Sequence, residues 1–165
     1  MTSAFASVAV TCGKVIFWDI DGTLAPYRFN GHVADPDGTE NGMSLSEIER
    51  GIFLTRAPSA FMQKVVKTSR ARMHVVMGHC RADKEESDKR IWIARHFPMM
   101  KRVLLTKEDM PKYLSILNFC AQNGIDVKDA VYVDDVIPFL RAAERHGICS
   151  YHISSFLDWD ARETK

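Results

Sequence analysis

The sequence lacks the features that mark several large classes of protein. It contains only four cysteines in 165 residues, and no two of them form a Cys-x-x-Cys pair that would indicate a zinc or dithiol redox site. No apolar run approaches the roughly 20 residues that a membrane-spanning helix needs. Internal repeats and low-complexity tracts are absent. These absences favour a globular protein whose thiols are reduced.

Neither sign of charge is in excess, and the formal net charge is +1. Without a basic surplus there is no electrostatic reason to expect a surface for nucleic acid or membrane. The apolar stretch 4–10 has no basic residue before it and is too short for a secretory signal. We expect a cytoplasmic protein with a small-molecule partner. The sequence predicts no oligomeric state.

Apolar residues make up 46% of the chain and charged residues 26%, as in a soluble domain with a packed core. We expect one domain over residues 1–165, in which short apolar runs alternate with amphipathic segments. This alternation predicts an α/β fold: a parallel sheet covered on both faces, with the carboxyl ends of its strands at one edge. The predicted strands are 14–19, 73–78, 102–106, 130–134 and 149–153, and the predicted helices are 58–70, 81–96, 111–123 and 138–146.

Residues 25–56 interrupt this alternation with closely spaced proline, glycine and asparagine, which predicts a loop-rich excursion. Ser44 and Glu47 have the spacing of a capping box, which predicts a short helix within it. Several side chains of the excursion are candidates for substrate contact, although packing beneath the loop is the other explanation: Tyr27, Phe29, His32, Phe53 and Arg56.

Two aspartates follow the first predicted strand. Asp19 ends it, and Asp21 comes just before a Gly-Thr turn. In this arrangement Asp19 can face both a ligand and a metal, while Asp21 can donate a proton to a leaving group and later accept one from water. Ordinary turn residues are the alternative explanation.

A second acidic pair, Asp134 and Asp135, ends the fourth predicted strand. Hard divalent cations such as Mg²⁺ bind oxygen ligands, and without a cation two neighbouring carboxylates would repel each other at a buried strand end. A helix cap is the alternative. Two acidic pairs at the ends of two strands favour a magnesium site.

The segment Phe-Trp-Asp-Ile-Asp-Gly-Thr-Leu at 17–24 resembles motif I of haloacid-dehalogenase-like (HAD) hydrolases, and Val-Tyr-Val-Asp-Asp at 131–135 resembles their motif IV. The resemblance covers about residues 14–153. It implies a three-layer Rossmann-like fold with a small cap or flap inserted at 25–56. It also implies magnesium-dependent phosphoryl transfer through an aspartyl-phosphate.

By position, the resemblance makes Asp19 the nucleophile and Asp21 the acid and base. Asp19, Asp134 and Asp135 would hold the metal, together with the backbone carbonyl of Asp21. The second acid that many relatives carry in motif IV is replaced here by Phe139.

The phosphate-binding motifs match less well. Motif II places a Ser or Thr at the end of strand two, where this chain has Gly78 and His79, whose backbone N–H groups and imidazole are the candidate donors. For the motif III lysine, the candidates are Lys89, Lys107 and Lys112. We favour Lys89, because residues 88–97 resemble a segment of 5'(3')-deoxyribonucleotidases, whereas most other HAD members keep their lysine at the place of Lys112.

These patterns predict a magnesium-dependent phosphomonoester hydrolase with a small substrate such as a nucleoside monophosphate. A sugar-phosphate phosphatase is one alternative. The other is a phosphate- or phosphoprotein-binding module of HAD fold with weak or no catalysis, which the missing motif II hydroxyl favours.

Overall fold

The computed structural model describes residues 8–27 and 44–159. All predicted strands and helices are confirmed, with ends that differ from the predicted ones by at most two residues. None of the helices in these two ranges has the length and apolar character that crossing a bilayer requires. The strands are β1 (Val15–Asp19), β2 (Met73–Cys80), β3 (Arg102–Lys107), β4 (Ala130–Asp134) and β5 (Cys149–His152), and the helices are α1 (Val8–Thr11), α2 (Leu45–Glu49), α3 (Ala60–Thr68), α4 (Asp83–His96), α5 (Lys112–Gln122) and α6 (Ile137–Glu144).

The five strands form one parallel sheet in the order β3-β2-β1-β4-β5. The central strand β1 pairs with β2 on one side, where Asp19 lies opposite Met77, and with β4 on the other, where Trp18 lies opposite Val133. Parallel strands end at the same edge of a sheet, so the acidic residues that follow β1 and β4 become neighbours. The predicted parallel sheet is confirmed.

Alternation along β1 supplies both faces of the sheet. Val15 and Phe17 belong to one buried cluster, and Ile16 and Trp18 to the other. Helices α5 and α6 cover the first face, and α3 and α4 cover the second, so the fold has three layers. A strand buried on both faces is continuously apolar, which explains why β1 contains no polar residue before Asp19.

The predicted insertion 25–56 lies partly outside the described residues, as do Phe29 and His32. In its described part the predicted capping box is present: Ser44 Oγ accepts from the Glu47 N–H at 3.3 Å, and the Glu47 carboxylate accepts from the Ser44 N–H at 2.8 Å. Helix α2 and the 3₁₀ turn Ile52–Thr55 follow it, and both pack against α4. Their contact with α4 fixes the position of the residues that follow them.

Phe17 tests the placement of β1 in the core. It is fully buried, and its ring meets that of Phe119 edge-on at 5.6 Å between centroids. Phe17→Ala should reduce the free energy of unfolding by about 3–5 kcal/mol. Leu157→Ala, at a side chain 69% exposed, should change it by less than about 0.5 kcal/mol. Urea denaturation measures both, and equal stabilities would contradict this placement.

Candidate active site

The ends of β1 and β4 bring three carboxylates together. Asp19 is the last residue of β1, Asp134 is the last residue of β4, and Asp135 follows it. One oxygen from each lies within 4.8 Å of the others. Asp19 and Asp134 are buried, and Asp135 is partly exposed.

A buried ammonium lies between two of these carboxylates. Lys112, the first residue of α5, places its Nζ 2.5 Å from Asp19 Oδ1 and 2.8 Å from Asp134 Oδ2. Burial alone would lower the pKa of Lys112, but the two carboxylates raise it above the ordinary value, so the side chain stays charged. The ring of Phe139 lies 4.9 Å from Nζ, at cation–π distance.

The local charge is still negative overall. Burial raises the pKa of Asp19 well above its usual value; Lys112 opposes this shift, and Asp134 and Asp21 add to it. When all three clustered carboxylates are ionised, three negative charges face the single positive charge of Lys112. Uncompensated charge of this kind is costly in a buried site, and a divalent cation would neutralise it.

Asp134 and Asp135 differ in what their oxygens already contact. Asp134 accepts hydrogen bonds from the Tyr132 hydroxyl and from Lys112 at Oδ2, and from the Val136 N–H at Oδ1, 2.7 Å away. Asp135 Oδ1 is buried and has no hydrogen-bond partner. An orphaned buried carboxylate oxygen in an all-oxygen acidic cluster fits Mg²⁺, which prefers such ligands.

Asp21 belongs to a separate charge cluster. Its Oδ1 lies 2.5 Å from Arg56 Nη1, and its Oδ2 lies 2.7 Å from Lys89 Nζ. Burial alone would raise the pKa of Asp21, but Lys89 and Arg56 together lower it below the usual value. The carboxylate therefore stays ionised. These ion pairs involve only the side chain of Asp21. The metal ligand that the resemblance implies at this residue is the backbone carbonyl.

Of the three candidate lysines, Lys112 is the one whose ammonium bonds to Asp19. Lys89, which the sequence favoured, lies in the second turn of α4 and contacts Asp21, Glu85 and the carbonyl of His79. Lys107 is exposed at the end of β3. The structure thus brings Lys89 to the acid–base candidate and Lys112 to the candidate nucleophile.

At the end of strand two the chain has a different arrangement from the expected one. Gly78 and His79 lie within β2, opposite Leu105 and Thr106 of β3, because the strand continues to Cys80. His79 Nε2 lies 2.8 Å from the Met110 carbonyl, which can only accept, so Nε2 carries the proton. Burial and the nearby Lys112 lower the pKa of His79. A neutral ring in this tautomer has no further N–H to donate to a phosphoryl group.

Lys112 is one of the residues that line a cavity of about 210 Å³. Much of its wall is apolar or aromatic and includes Met110, Tyr113 and Phe139. The imidazole of His79 meets Phe139 edge-on at 5.7 Å between centroids on the same wall. This is space beside the site that an organic group can occupy.

Two further contributors were not identified from the sequence. Tyr132 donates to Asp134, and Glu85 lies 2.8 Å from Lys89. Both positions carried a signal: Tyr132 is two residues before Asp134 on a strand, hence on the same face, and Glu85 is four residues before Lys89 on a helix.

Gly22 provides a test of how closely the two strand ends approach each other. Its φ is +78°, and an added Cβ would lie 2.0 Å from Asp135 Oδ2. Gly124 is the matched control, because its φ is +62° but its Cβ would meet nothing within 4 Å. Ala at either site should cost about 1–2 kcal/mol from the left-handed backbone, and Gly22→Ala should cost more because it displaces Asp135. Equal losses in urea denaturation would refute this close approach.

No protein-family model and no curated protein sequence matches the chain. Solved structures do. A proposed phosphoglycolate phosphatase from Lactobacillus plantarum matches with a TM-score of 0.56 and 16% identity, over 94% of this chain and 92% of that one. The cobalt-bound deoxy-D-mannose-octulosonate 8-phosphate phosphatase of Haemophilus influenzae matches with a TM-score of 0.50 and 16% identity, over 85% and 68%.

A third structure, the 3-deoxy-D-manno-octulosonate 8-phosphate phosphatase of Moraxella catarrhalis with magnesium, phosphate and sugar, has 16% identity over 79% of this chain. Its TM-score is 0.40, and this chain spans 62% of its length. At these identities the likeness concerns the fold. The chain has the three-layer Rossmann-like fold of HAD phosphatases, as motif I predicted.

Proposed function

We propose that this protein is a magnesium-dependent phosphomonoester hydrolase in which Asp19 is transiently phosphorylated. The observation that carries the proposal is the convergence of Asp19, Asp134 and Asp135 around an unpartnered carboxylate oxygen, with the Lys112 ammonium 2.5 Å from Asp19. One edge of the sheet would thus hold a nucleophile, a cation site and a fixed positive charge. In-line phosphoryl transfer needs these three groups.

In the first step a carboxylate oxygen of Asp19 attacks phosphorus, the bond from phosphorus to the ester oxygen breaks, and the leaving oxygen takes a proton from Asp21. Asp21 is ionised in the described arrangement, so a proton must reach it before it acts as an acid. In the second step the oxygen of a water attacks the acyl phosphate, its proton passes to Asp21, and Asp19 is released as a carboxylate.

Charge neutralisation is divided between the protein and the metal. Asp19, Asp135 and Asp134, with the backbone carbonyl of Asp21, are the proposed ligands; bound Mg²⁺ would supply a Lewis acid that offsets the charge of the phosphoryl oxygens. We assign the phosphoryl-holding role of motif III to Lys112, whose ammonium already contacts the nucleophile. Gly78 remains a candidate backbone donor. His79 can offer the phosphoryl group only its backbone N–H, because its ring N–H donates to the Met110 carbonyl.

For the substrate we propose a small phosphomonoester, and we place nucleoside monophosphates first because residues 88–97 resemble the deoxyribonucleotidase segment. The aromatic wall of the cavity beside Lys112 suits a flat organic group. Sugar phosphates and phosphoglycolate are the competing classes, since these occur in the names of the similar structures. A magnesium-dependent screen of all three classes, measured as kcat/KM, would rank them.

A phosphate-binding module with little catalysis is the second candidate. It is favoured by the imidazole at the end of β2, whose N–H bonds to Met110 where a phosphatase of this class has a hydroxyl for the phosphoryl group. Tight phosphate binding without turnover of any phosphomonoester would favour it.

Asp19→Asn is the direct test of the nucleophile. It should remove nearly all magnesium-dependent release of phosphate from p-nitrophenyl phosphate and all acid-stable ³²P labelling of the protein, because an amide does not form the acyl phosphate. Asp158→Asn, at an exposed position, should retain both. Turnover by Asp19→Asn at the wild-type rate would refute the mechanism.

Lys112→Met tests the assignment of the lysine. Losing a preorganised cation at the phosphoryl group should lower kcat by about 10²–10³-fold. The same substitution at exposed Lys107 should change kcat little. Similar kcat values for the two variants would refute the assignment of this role to Lys112.

Asp135→Asn tests the metal site without any substrate. Burial and Asp134 raise the pKa of Asp135 to about 6, above the value in the unfolded chain. Ionisation of Asp135 therefore destabilises the folded state as the pH rises through this range. In EDTA near pH 7.5 the variant should therefore melt higher than wild type. Mg²⁺ should raise the wild-type Tm much more than that of the variant. An equal magnesium shift in both proteins would exclude Asp135 as a ligand.

A further inference from the structure

Each carboxylate oxygen of Asp21 is paired with a different cation. Arg56 Nη1 approaches Oδ1 at 2.5 Å, and Lys89 Nζ approaches Oδ2 at 2.7 Å. The two cations are themselves buried, with 9% of the Arg56 side chain and 1% of that of Lys89 exposed. Buried cations are costly unless they are fully paired, so this arrangement fixes the carboxylate in one orientation.

Arg56 is held in place by several contacts besides the one with Asp21. Its Nη2 donates to the carbonyls of Ala25 and Pro26 at 2.6 and 3.2 Å, and its own carbonyl accepts from the Trp92 indole at 2.7 Å. The Phe53 ring lies 5.0 Å from the guanidinium carbon. With these contacts in place, Nη1 is directed toward Asp21 Oδ1. A planar guanidinium directs its donors in a fixed fork, so it sets the orientation of a carboxylate in a way that the point charge of an ammonium does not.

Lys89 is anchored in the same way at the other oxygen of Asp21. Its Nζ also bonds to Glu85 Oε1 at 2.8 Å and to the His79 carbonyl at 2.6 Å. All three donors of the ammonium are therefore in use. Each cation therefore holds one oxygen of Asp21, and without Arg56 the contact of Lys89 with Oδ2 would have to orient the carboxylate without the contact at Oδ1.

We infer that Arg56 is a positioning residue for Asp21, and that its main effect falls on the second half of the reaction. This inference rests on the proposed hydrolase function. In that half, the water oxygen bonds to phosphorus, the bond from phosphorus to Asp19 breaks, and the water proton passes to Asp21. Each carboxylate oxygen keeps a second lone pair for that proton, and one-fifth of the Asp21 side chain is exposed to receive it.

The choice of p-nitrophenyl phosphate as substrate separates the two halves of the reaction. With p-nitrophenyl phosphate the leaving group departs without a proton, so formation of the phosphoenzyme does not need Asp21 as an acid. Its hydrolysis still needs Asp21 as a base at the correct place. A misplacement of about 1 Å lowers such a step by up to about 100-fold. Losing Arg56 should therefore slow dephosphorylation alone.

The experiment is steady-state and quench-flow kinetics of Arg56→Gln with p-nitrophenyl phosphate and Mg²⁺. We expect kcat to fall about 10- to 100-fold and KM to fall with it, so that kcat/KM stays near the wild-type value. The fraction of enzyme trapped as phosphoenzyme at saturation should rise. Arg56→Lys retains the charge but not the fork, and should show the same pattern at smaller size.

Arg90→Gln is the control, since this arginine pairs with Glu86 on the exposed side of α4 and should leave all three quantities unchanged. A merely structural role for Arg56 predicts fewer active molecules, so that kcat and kcat/KM fall together at constant KM. Either that result or unchanged kinetics, measured in an Arg56 variant that folds, would overturn the inference. Turnover by the wild-type protein would still uphold the proposed function. A wild-type protein with neither turnover nor phosphoenzyme would overturn both.

Discussion

The arrangement of the site depends on the buried ammonium of Lys112. Two carboxylates that end neighbouring strands would repel each other in a low-dielectric interior, and Lys112 contacts both, at 2.5 Å from Asp19 and 2.8 Å from Asp134. It comes from the first turn of α5, so the same contact fixes the helix against the edge of the sheet. The remaining negative charge is what makes the cluster suitable for a divalent cation.

Asp19 and Asp21 are separated by a single residue, yet their surroundings shift their pKa values in opposite directions. Burial raises the pKa of Asp19, while Lys89 and Arg56 outweigh burial and lower that of Asp21. Carboxylates with divergent environments are suited to different tasks. The turn at Gly22 makes this possible, because it lets the chain leave the strand and direct the second carboxylate toward α4 instead of toward β4.

The fold was predictable because its determinants are local: apolar runs of strand length, amphipathic helices between them, and acids at the strand ends. The convergence of Asp19 with Asp134 and Asp135 followed from parallel topology alone. The choice among lysines did not, because a helical position does not reveal which strand end a long side chain reaches. The role proposed for Arg56 was also hidden, since it depends on the path of an irregular segment. The position of His79 within β2 was not foreseen, because the strand is two residues longer than its apolar pattern.

The central place of β1 has a consequence for how the molecule is made. The strand that carries Asp19 precedes both of its neighbours, β2 and β4, and a long stretch of chain separates Asp19 from Asp134. Such distant contacts form late, because closing the intervening loops has an entropic cost. A nascent chain therefore cannot bring these carboxylates together until β4 has left the ribosome.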